Sequence, residues 1–226
     1  MGAAEGDLLP GHHDHPVARD QRPRPVLTVP QVFALADRLP EPYGLMVIVT
    51  TFGSLRWGEV TALRRSDVDT ASGLIRVRSA FSHDYTGKIE RGAPKSKAGL
   101  RALVIPRPVA AALAVHLDSG RVAADPEALI FAGDRGGPLH RSNFNKRVSW
   151  TENVRAIGAE GLHFHDLRHT GNTLAAMTGA SLRDLMTRMG HDSMRAALIY
   201  QHNTHGADRK IADAMEALIA DQERSS

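Results

Sequence analysis

The residues between His165 and Tyr200 have types and spacings that suit chemistry on a phosphodiester. This stretch contains His165, Arg168, His191 and Tyr200. His165 and Arg168 are three positions apart, so they are expected to share one face of a helix. An imidazole, a guanidinium and the N-terminus of a helix can together bind a phosphate group. With a phenol nearby, the stretch predicts covalent capture of a phosphodiester by a tyrosine oxygen.

Three short helices are predicted to position these side chains. The first runs from Asp166 to a glycine cap at Gly179. The second begins after Ser181, which is a plausible N-cap, and ends at Gly190. The third would follow and carry the tyrosine.

Composition limits the classes of protein that remain. The chain has 226 residues, no cysteine and a formal net charge of +3. The absence of cysteine excludes disulfides and thiolate metal sites and makes a reducing, cytoplasmic setting the simpler expectation. No apolar run reaches the length of a membrane span. Because the positive charge is modest, a case for nucleic acid must rest on where the basic residues fall.

The chain is expected to divide into a flexible lead or interdomain linker over residues 1–25 and a folded domain over 26–226. Thr28 is a predicted N-cap for the first helix of that domain. A second, apolar segment from Tyr43 contains Arg56 and Glu59. Gly53 and the residue after it predict a bend that would turn Arg56 toward a cleft. The alternative is an Arg–Glu pair on a helix surface.

The middle of the chain is predicted to form a small antiparallel sheet and basic surfaces. Residues 74–81, a segment within 88–97, and residues 100–106 are the expected strands. A helix is expected from Ser142 to near Ile157. The basic side chains of these segments suit either solvent or a nucleic-acid backbone, and the predicted DNA contacts are Lys88, Arg91, Lys97, Arg101, Arg141, Lys146 and Arg147.

Four motifs in order resemble those of the catalytic domain of the tyrosine recombinases, the phage-integrase family. They are residues 53–59 with 63–69, residues 94–101, the H-x-x-R box at 165–170, and residues 189–191 followed by Tyr200. The resemblance covers about residue 26 to the end. It implies a mainly α (α+β) fold, with helices around a three-stranded antiparallel sheet. The family's N-terminal DNA-clamping, or core-binding, domain has no counterpart in this sequence.

The resemblance implies a role for each motif residue in cleaving and rejoining DNA. Arg56 and Arg168 would bind the scissile phosphate, which suits two permanently charged guanidiniums. Tyr200 would be the nucleophile and form a 3′-phosphotyrosyl intermediate. His165 would assist the proton transfer, and His191 would hydrogen-bond the phosphate.

The remaining roles and partners also follow from the resemblance. Lys95, or alternatively Lys97, would protonate the departing 5′ oxygen, and Glu59 would hold the arginines in place. Neither a metal ion, ATP nor another cofactor is implied. The implied partners are a double-stranded DNA recombination site in the nucleoid, other protomers joined in a synaptic tetramer through the C-terminal segment, and accessory DNA-bending factors.

Three other interpretations remain open at the level of sequence. Residues 179–200 have the pattern of a helix-turn-helix, which would make the chain a non-catalytic DNA-binding module. The same tyrosine chemistry without strand exchange would give a type IB topoisomerase-like activity. His163, His165 and His169 could instead form a zinc site, although no carboxylate partner is apparent.

Overall fold

The computed structural model describes residues 25–83, 86–94 and 97–190. The helices of this part are α1 (Val29–Asp37), α2 (Tyr43–Phe52), α3 (Trp57–Thr61), α4 (Arg107–Asp118), α5 (Arg141–Arg147), α6 (Trp150–Ala156), α7 (Phe164–Met177) and α8 (Leu182–Met189). Its strands are β1 (Val68–Asp69), β2 (Leu74–Val77), β3 (Ala80–His83), β4 (Ile89–Gly92) and β5 (Arg101–Val104). Single 3-10 turns occur at Arg65–Asp67 and Lys97–Gly99.

Local capping fixes where two of the helices begin. The side chain of Thr28 accepts the N–H of Gln31, and the Gln31 side chain accepts the N–H of Thr28, so the predicted cap of α1 is confirmed. Ser181 accepts the N–H of Asp184 at 3.2 Å and caps α8 as predicted. Both features depend on residues three positions apart, which is why sequence alone predicts them.

The apolar segment that begins at Tyr43 bends at the predicted place. Helix α2 ends at Phe52, and Ser54 has a positive φ of 51°. Helix α3 then begins at Trp57, so Arg56 is in extended conformation between the two helices. The interruption directs Arg56 away from the continuous helix surface that the alternative interpretation required.

The antiparallel sheet has three strands, as predicted, but its members differ from those expected. Its order is β1–β2–β5, with Ile75 opposite Leu103. The predicted strand over residues 74–81 divides into β2 and β3, and β3 pairs with β4 in a separate two-stranded sheet. Strand β3 leaves the first sheet because it packs against α3, where the backbone of Phe81 approaches Gly58.

The helix predicted from Ser142 to Ile157 is also two helices, α5 and α6, separated by Ser149 in the left-handed conformation. Phe144 and Trp150 explain the break. They are six residues apart, so a continuous helix would direct them to different faces. In the structure both are buried and their rings lie 5.7 Å apart in an aromatic cluster with Phe164.

One hydrophobic core joins most of these elements, and α7 lies against α2 within it. A second, small cluster of Ala176, Leu185 and Met189 packs the end of α7 against α8. The close approach depends on Gly171, because a Cβ at this position would lie 1.9 Å from the carbonyl oxygen of Thr51. Helix α7 begins at Phe164, two residues earlier than predicted. No helix among the described residues is long and apolar enough to cross a membrane.

Candidate active site

Glu59 lies at the centre of a group of arginines contributed by distant segments. Its carboxylate accepts the backbone N–H of Arg56 at 2.8 Å and an Nη1–H of the same residue at 2.8 Å. Two N–H groups of Arg101 reach the carboxylate at 2.9 and 3.1 Å. Arg168 Nη1 lies 3.8 Å from it. The predicted contact between Glu59 and the two motif arginines is therefore present.

These contacts stabilise the ionised form of Glu59 although its side chain is buried. The side chain is 1% exposed, and burial by itself would raise the pKa of the carboxyl. The hydrogen bonds and charge of Arg101 oppose this effect, together with the N–H of Arg56 and the charge of Arg168. The net result lowers the pKa of Glu59 to about 2. The carboxylate is thus ionised at neutral pH.

Arg168 lies deep in the site and contacts two backbone carbonyls. Its side chain is 4% exposed, and its two Nη groups donate to the carbonyl oxygens of Ser54 and Met189. Ser54 lies in the bend between α2 and α3, and Met189 is the last residue of α8. The guanidinium therefore connects three segments that are far apart in sequence.

Arg56 is more accessible than Arg168. Its side chain is 39% exposed, and Nη2 donates to the carbonyl oxygen of Gly190 at 3.3 Å. Gly190 has a positive φ of 61°, and a Cβ there would lie 2.8 Å from the Ala98 carbonyl oxygen. Arg56 and Arg168 thus hold consecutive carbonyls just before His191. This arrangement gives one partly open guanidinium beside a buried one.

Arg101 is placed differently from the prediction. The sequence suggested a basic hairpin residue that contacts DNA, but its side chain is 3% exposed. Its Nε donates to the carbonyl oxygen of Arg188 at 2.8 Å, and its Nη groups face Glu59. Because β5 pairs with β2 beside α8, the start of β5 points this guanidinium inward. We therefore reassign Arg101 from DNA contact to the interior of the site.

Arg188 is a residue that the sequence reasoning missed. Its guanidinium donates to the carbonyl oxygens of Val104, at the end of β5, and of Phe52, at the end of α2. Burial, followed by the nearby charge of Arg101, lowers the pKa of Arg188. A basic residue in the last turn of α8 was the available signal, but its partners lie on distant segments.

The other predicted catalytic residues are only partly covered. His165 is exposed in the first turn of α7, whereas Arg168 on the next turn is buried. Lys95, His191 and Tyr200 lie outside the described residues, as does the side chain of Lys97. The structure therefore brings together Arg56, Glu59 and Arg168. The positions of Lys95, His191 and Tyr200, and the role of His165, stay predictions.

The predicted DNA contacts other than Arg101 and Lys97 are exposed. Lys88 and Arg91 lie on or beside β4, and Arg141, Lys146 and Arg147 lie on α5. The guanidinium of Arg141 lies 5.8 Å from the ring centroid of Trp57, next to Arg56 in the chain. Trp57 itself is half-buried and packs edge-on against Phe144 and Phe164 at the margin of the core. Arg147 is paired with Asp134.

Two of the alternative interpretations gain no support from the described residues. His163, His165 and His169 all lie in the described part of the chain. This part contains no group of three or more His, Cys, Asp or Glu side chains that could hold a metal ion. The helix-turn-helix interpretation needs a second helix after Gly190, and that segment lies outside the described residues.

Comparisons with known proteins identify the family of this chain. Residues 28–206 match the model of the phage integrase family. The putative prophage phiRv2 integrase of Mycobacterium tuberculosis is 36% identical over 196 residues, which cover 87% of this chain and 52% of the relative. The chain thus spans about half the length of the curated relatives it matches.

Solved structures agree on the fold. The Tn1549 transposon integrase, in complex with a circular intermediate DNA, aligns with a TM-score of 0.70 at 19% identity and covers 88% of this chain and 68% of that chain. The catalytic domain of bacteriophage HP1 integrase aligns with a TM-score of 0.53 at 17% identity and covers 84% of this chain and 95% of that chain. The resemblance inferred from the four motifs is confirmed, and the chain belongs to the phage integrase family of tyrosine recombinases.

Proposed function

We propose that this chain is the catalytic domain of a site-specific DNA recombinase that cleaves and rejoins strands through Tyr200. The observation that carries the proposal is the convergence of Arg56 and Arg168 on one carboxylate, with Nη1–oxygen distances of 2.8 and 3.8 Å to Glu59. Two guanidiniums held side by side fit the non-bridging oxygens of a phosphodiester. Both also bind the backbone just before His191, which leads toward the tyrosine.

In the proposed cleavage step, the phenolic oxygen of Tyr200 attacks the scissile phosphorus, and the bond to the 5′ oxygen breaks. A phenol has a pKa of about 10, so it must lose its proton as it attacks. His165 accepts that proton, and Lys95, with Lys97 as the alternative, donates one to the departing 5′ oxygen. Arg56 and Arg168 stabilise the charge that develops on the phosphate.

The products are a 3′-phosphotyrosyl link and a free 5′ hydroxyl. Attack by a 5′ hydroxyl from another strand reverses the step and releases Tyr200. His191 hydrogen-bonds the phosphate in both directions. Each preorganised donor of this kind is worth about 10²–10³ in rate, or roughly 3–4 kcal/mol. The bond energy is retained in the phosphotyrosyl link, so the scheme requires neither ATP nor a metal ion.

The domain proposal assigns residues 26–226 to the catalytic domain and residues 1–25 to a lead or linker. The family match begins at residue 28, which supports a catalytic domain that starts near residue 26. Duplex DNA would contact the exposed basic residues of β4 and α5 and their flanks, namely Lys88, Arg91, Arg141, Lys146 and Arg147, with Lys97 on the adjoining loop. The complex of the Tn1549 integrase with DNA supports this class of partner.

Assembly on DNA is the remaining part of the proposal. Strand exchange needs several protomers, and the sequence pattern of Ile211, Met215, Leu218 and Ile219 predicts an apolar helix face that could join them in a synaptic tetramer. The chain would act at the nucleoid, with accessory DNA-bending factors as further partners. The relatives named as integrases favour an enzyme of a mobile element.

A covalent-adduct assay tests the proposal. A pool of nicked duplexes with a randomised central segment is incubated with the protein, and SDS-resistant complexes are recovered and sequenced to define a substrate. We expect Tyr200→Phe to abolish the adduct because it removes the attacking oxygen. Tyr43→Phe and Tyr85→Phe are matched controls that remove the other two phenols of the chain and should retain it.

The outcomes separate the proposal from its rivals. An adduct that survives Tyr200→Phe would remove this residue from its role. DNA binding without any adduct would favour the non-catalytic module. Relaxation of supercoiled plasmid that requires no particular sequence would favour the topoisomerase-like activity.

A further inference from the structure

Arg101 makes the most complete contact with Glu59 of the arginines in the site. Two of its N–H groups bind the two carboxylate oxygens at 2.9 and 3.1 Å, in the paired geometry that guanidinium favours. Arg56 gives the carboxylate one side-chain N–H, and Arg168 lies farther away at 3.8 Å. The buried negative charge is therefore balanced mainly by Arg101.

This balance decides how much positive charge is left for a phosphate. Arg56, Arg101 and Arg168 carry three positive charges, and Glu59 carries one negative charge. Because Arg101 neutralises Glu59 as an ion pair, the charges of Arg56 and Arg168 are both available to the phosphate of the substrate. Without Arg101, the charges of Arg56 and Arg168 would have to compensate the carboxylate of Glu59, since an uncompensated buried charge is costly.

Arg101 also fixes the surroundings of this ion pair. Its Nε donates to the Arg188 carbonyl oxygen at 2.8 Å, and Nη1 donates to the Gly99 carbonyl oxygen at 3.1 Å. A Cβ at Gly190 would lie 2.9 Å from the same Nη1, so a larger residue there would displace the guanidinium. Arg101 thus joins the loop before β5 to the end of α8.

We propose that Arg101 is a positioning residue: by occupying Glu59 with paired N–H groups, it keeps Arg56 and Arg168 available to bind the scissile phosphate. This inference rests on the proposed function and deepens it. It differs from a role in DNA contact, because a side chain that is 3% exposed cannot reach a phosphate backbone without leaving Glu59.

The test separates the rate of cleavage from the affinity for DNA. Arg101→Met, Arg101→Lys and the control Arg107→Met are prepared in the full 226-residue chain, Arg107 being an exposed arginine at the start of α4. The nicked duplex recovered with the wild-type protein is the probe. Adduct formation is timed at saturating DNA, and the dissociation constant is measured over a range of salt concentrations.

We expect Arg101→Met to slow adduct formation by about 100-fold, as misplacement of catalytic groups does, with little change in affinity or in its salt dependence. Arg101→Lys keeps the charge but loses the paired geometry, so it should recover only part of the rate. Arg107→Met should behave as the wild type. The effects of Arg101→Met and Glu59→Gln should also be less than additive, because both act through one contact.

Two results would overturn the inference. The first is an Arg101→Met protein that forms the adduct at the normal rate at saturating DNA but binds DNA more weakly, with a salt dependence of affinity whose slope is lower by about 1. That result would identify Arg101 as a phosphate contact. The second is a fully active Arg101→Lys, which would show that the paired geometry is dispensable; this variant decides the question if Arg101→Met does not fold. Failure of the wild-type protein to form an adduct would instead count against the proposed function.

Discussion

Replacement of Glu59 by glutamine should lower stability in a way that depends on pH. The substitution keeps the size of the side chain but removes its negative charge. Glu59 is 1% exposed and its contacts lower its pKa from 4.5 to about 2. A carboxyl with a lowered folded pKa stabilises the folded state above its unfolded pKa, and that contribution is lost as pH falls toward the folded pKa.

The pKa shift sets the size of the effect. A shift of this size corresponds to about 3 kcal/mol at pH 7, since one pKa unit is worth about 1.4 kcal/mol. At pH 3 the carboxylate of the unfolded chain is almost fully protonated, and the remaining contribution is about 1 kcal/mol. The difference in unfolding free energy between wild type and Glu59→Gln should therefore narrow by about 2 kcal/mol from pH 7 to pH 3.

Urea unfolding of both proteins at the two pH values measures this narrowing. Glu160→Gln is a suitable control, because Glu160 also pairs with an arginine, Arg155, at 3.2 Å but is 74% exposed. Loss of this exposed ion pair should lower the unfolding free energy by at most about 1 kcal/mol. If the difference in unfolding free energy between wild type and Glu59→Gln stays constant from pH 7 to pH 3, this prediction is refuted. A constant difference would mean that ionisation of Glu59 does not contribute to stability.

Two further substitutions test how the elements around the site are held. Gly171→Ala should lower the unfolding free energy by about 3 kcal/mol, because its Cβ would meet the Thr51 carbonyl at the contact of α7 with α2. Gly92→Ala, with no atom within 4 Å of the added carbon, is the control, and equal stability of the two variants would contradict the close approach. Ser181→Ala should cost about 1 kcal/mol by removing the cap that accepts the N–H of Asp184. Thermal unfolding monitored by circular dichroism would detect that loss, and an unchanged melting temperature would show that the cap does not stabilise the fold.

Sequence predicts the parts of this fold that depend on neighbouring residues. The caps at Thr28 and Ser181 and the bend at Gly53 each arise within a few positions of the chain. The association of Arg56 with Glu59 could also be predicted from sequence, because the two residues are three positions apart. The motif spacing then identified the family.

Long-range packing determines the features that sequence did not predict. The break at Ser149 exists because Phe144 and Trp150 must both enter one aromatic cluster. Sequence alone predicts that Arg101 contacts DNA, because a basic hairpin usually faces solvent. Its true partner, Glu59, is on α3, and the contact requires β5 to lie beside α8, which no local pattern encodes.

The carbonyl contacts of Arg56 and Arg168 have a consequence for mutagenesis of this family member. These two side chains bind the carbonyl oxygens of Gly190 and Met189 and are also the proposed phosphate contacts. Replacing either arginine would remove an anchor of the main chain along with a positive charge. Reduced turnover in such variants would therefore report two losses together, and a backbone probe such as amide hydrogen exchange at residues 186–190 would be needed to tell them apart.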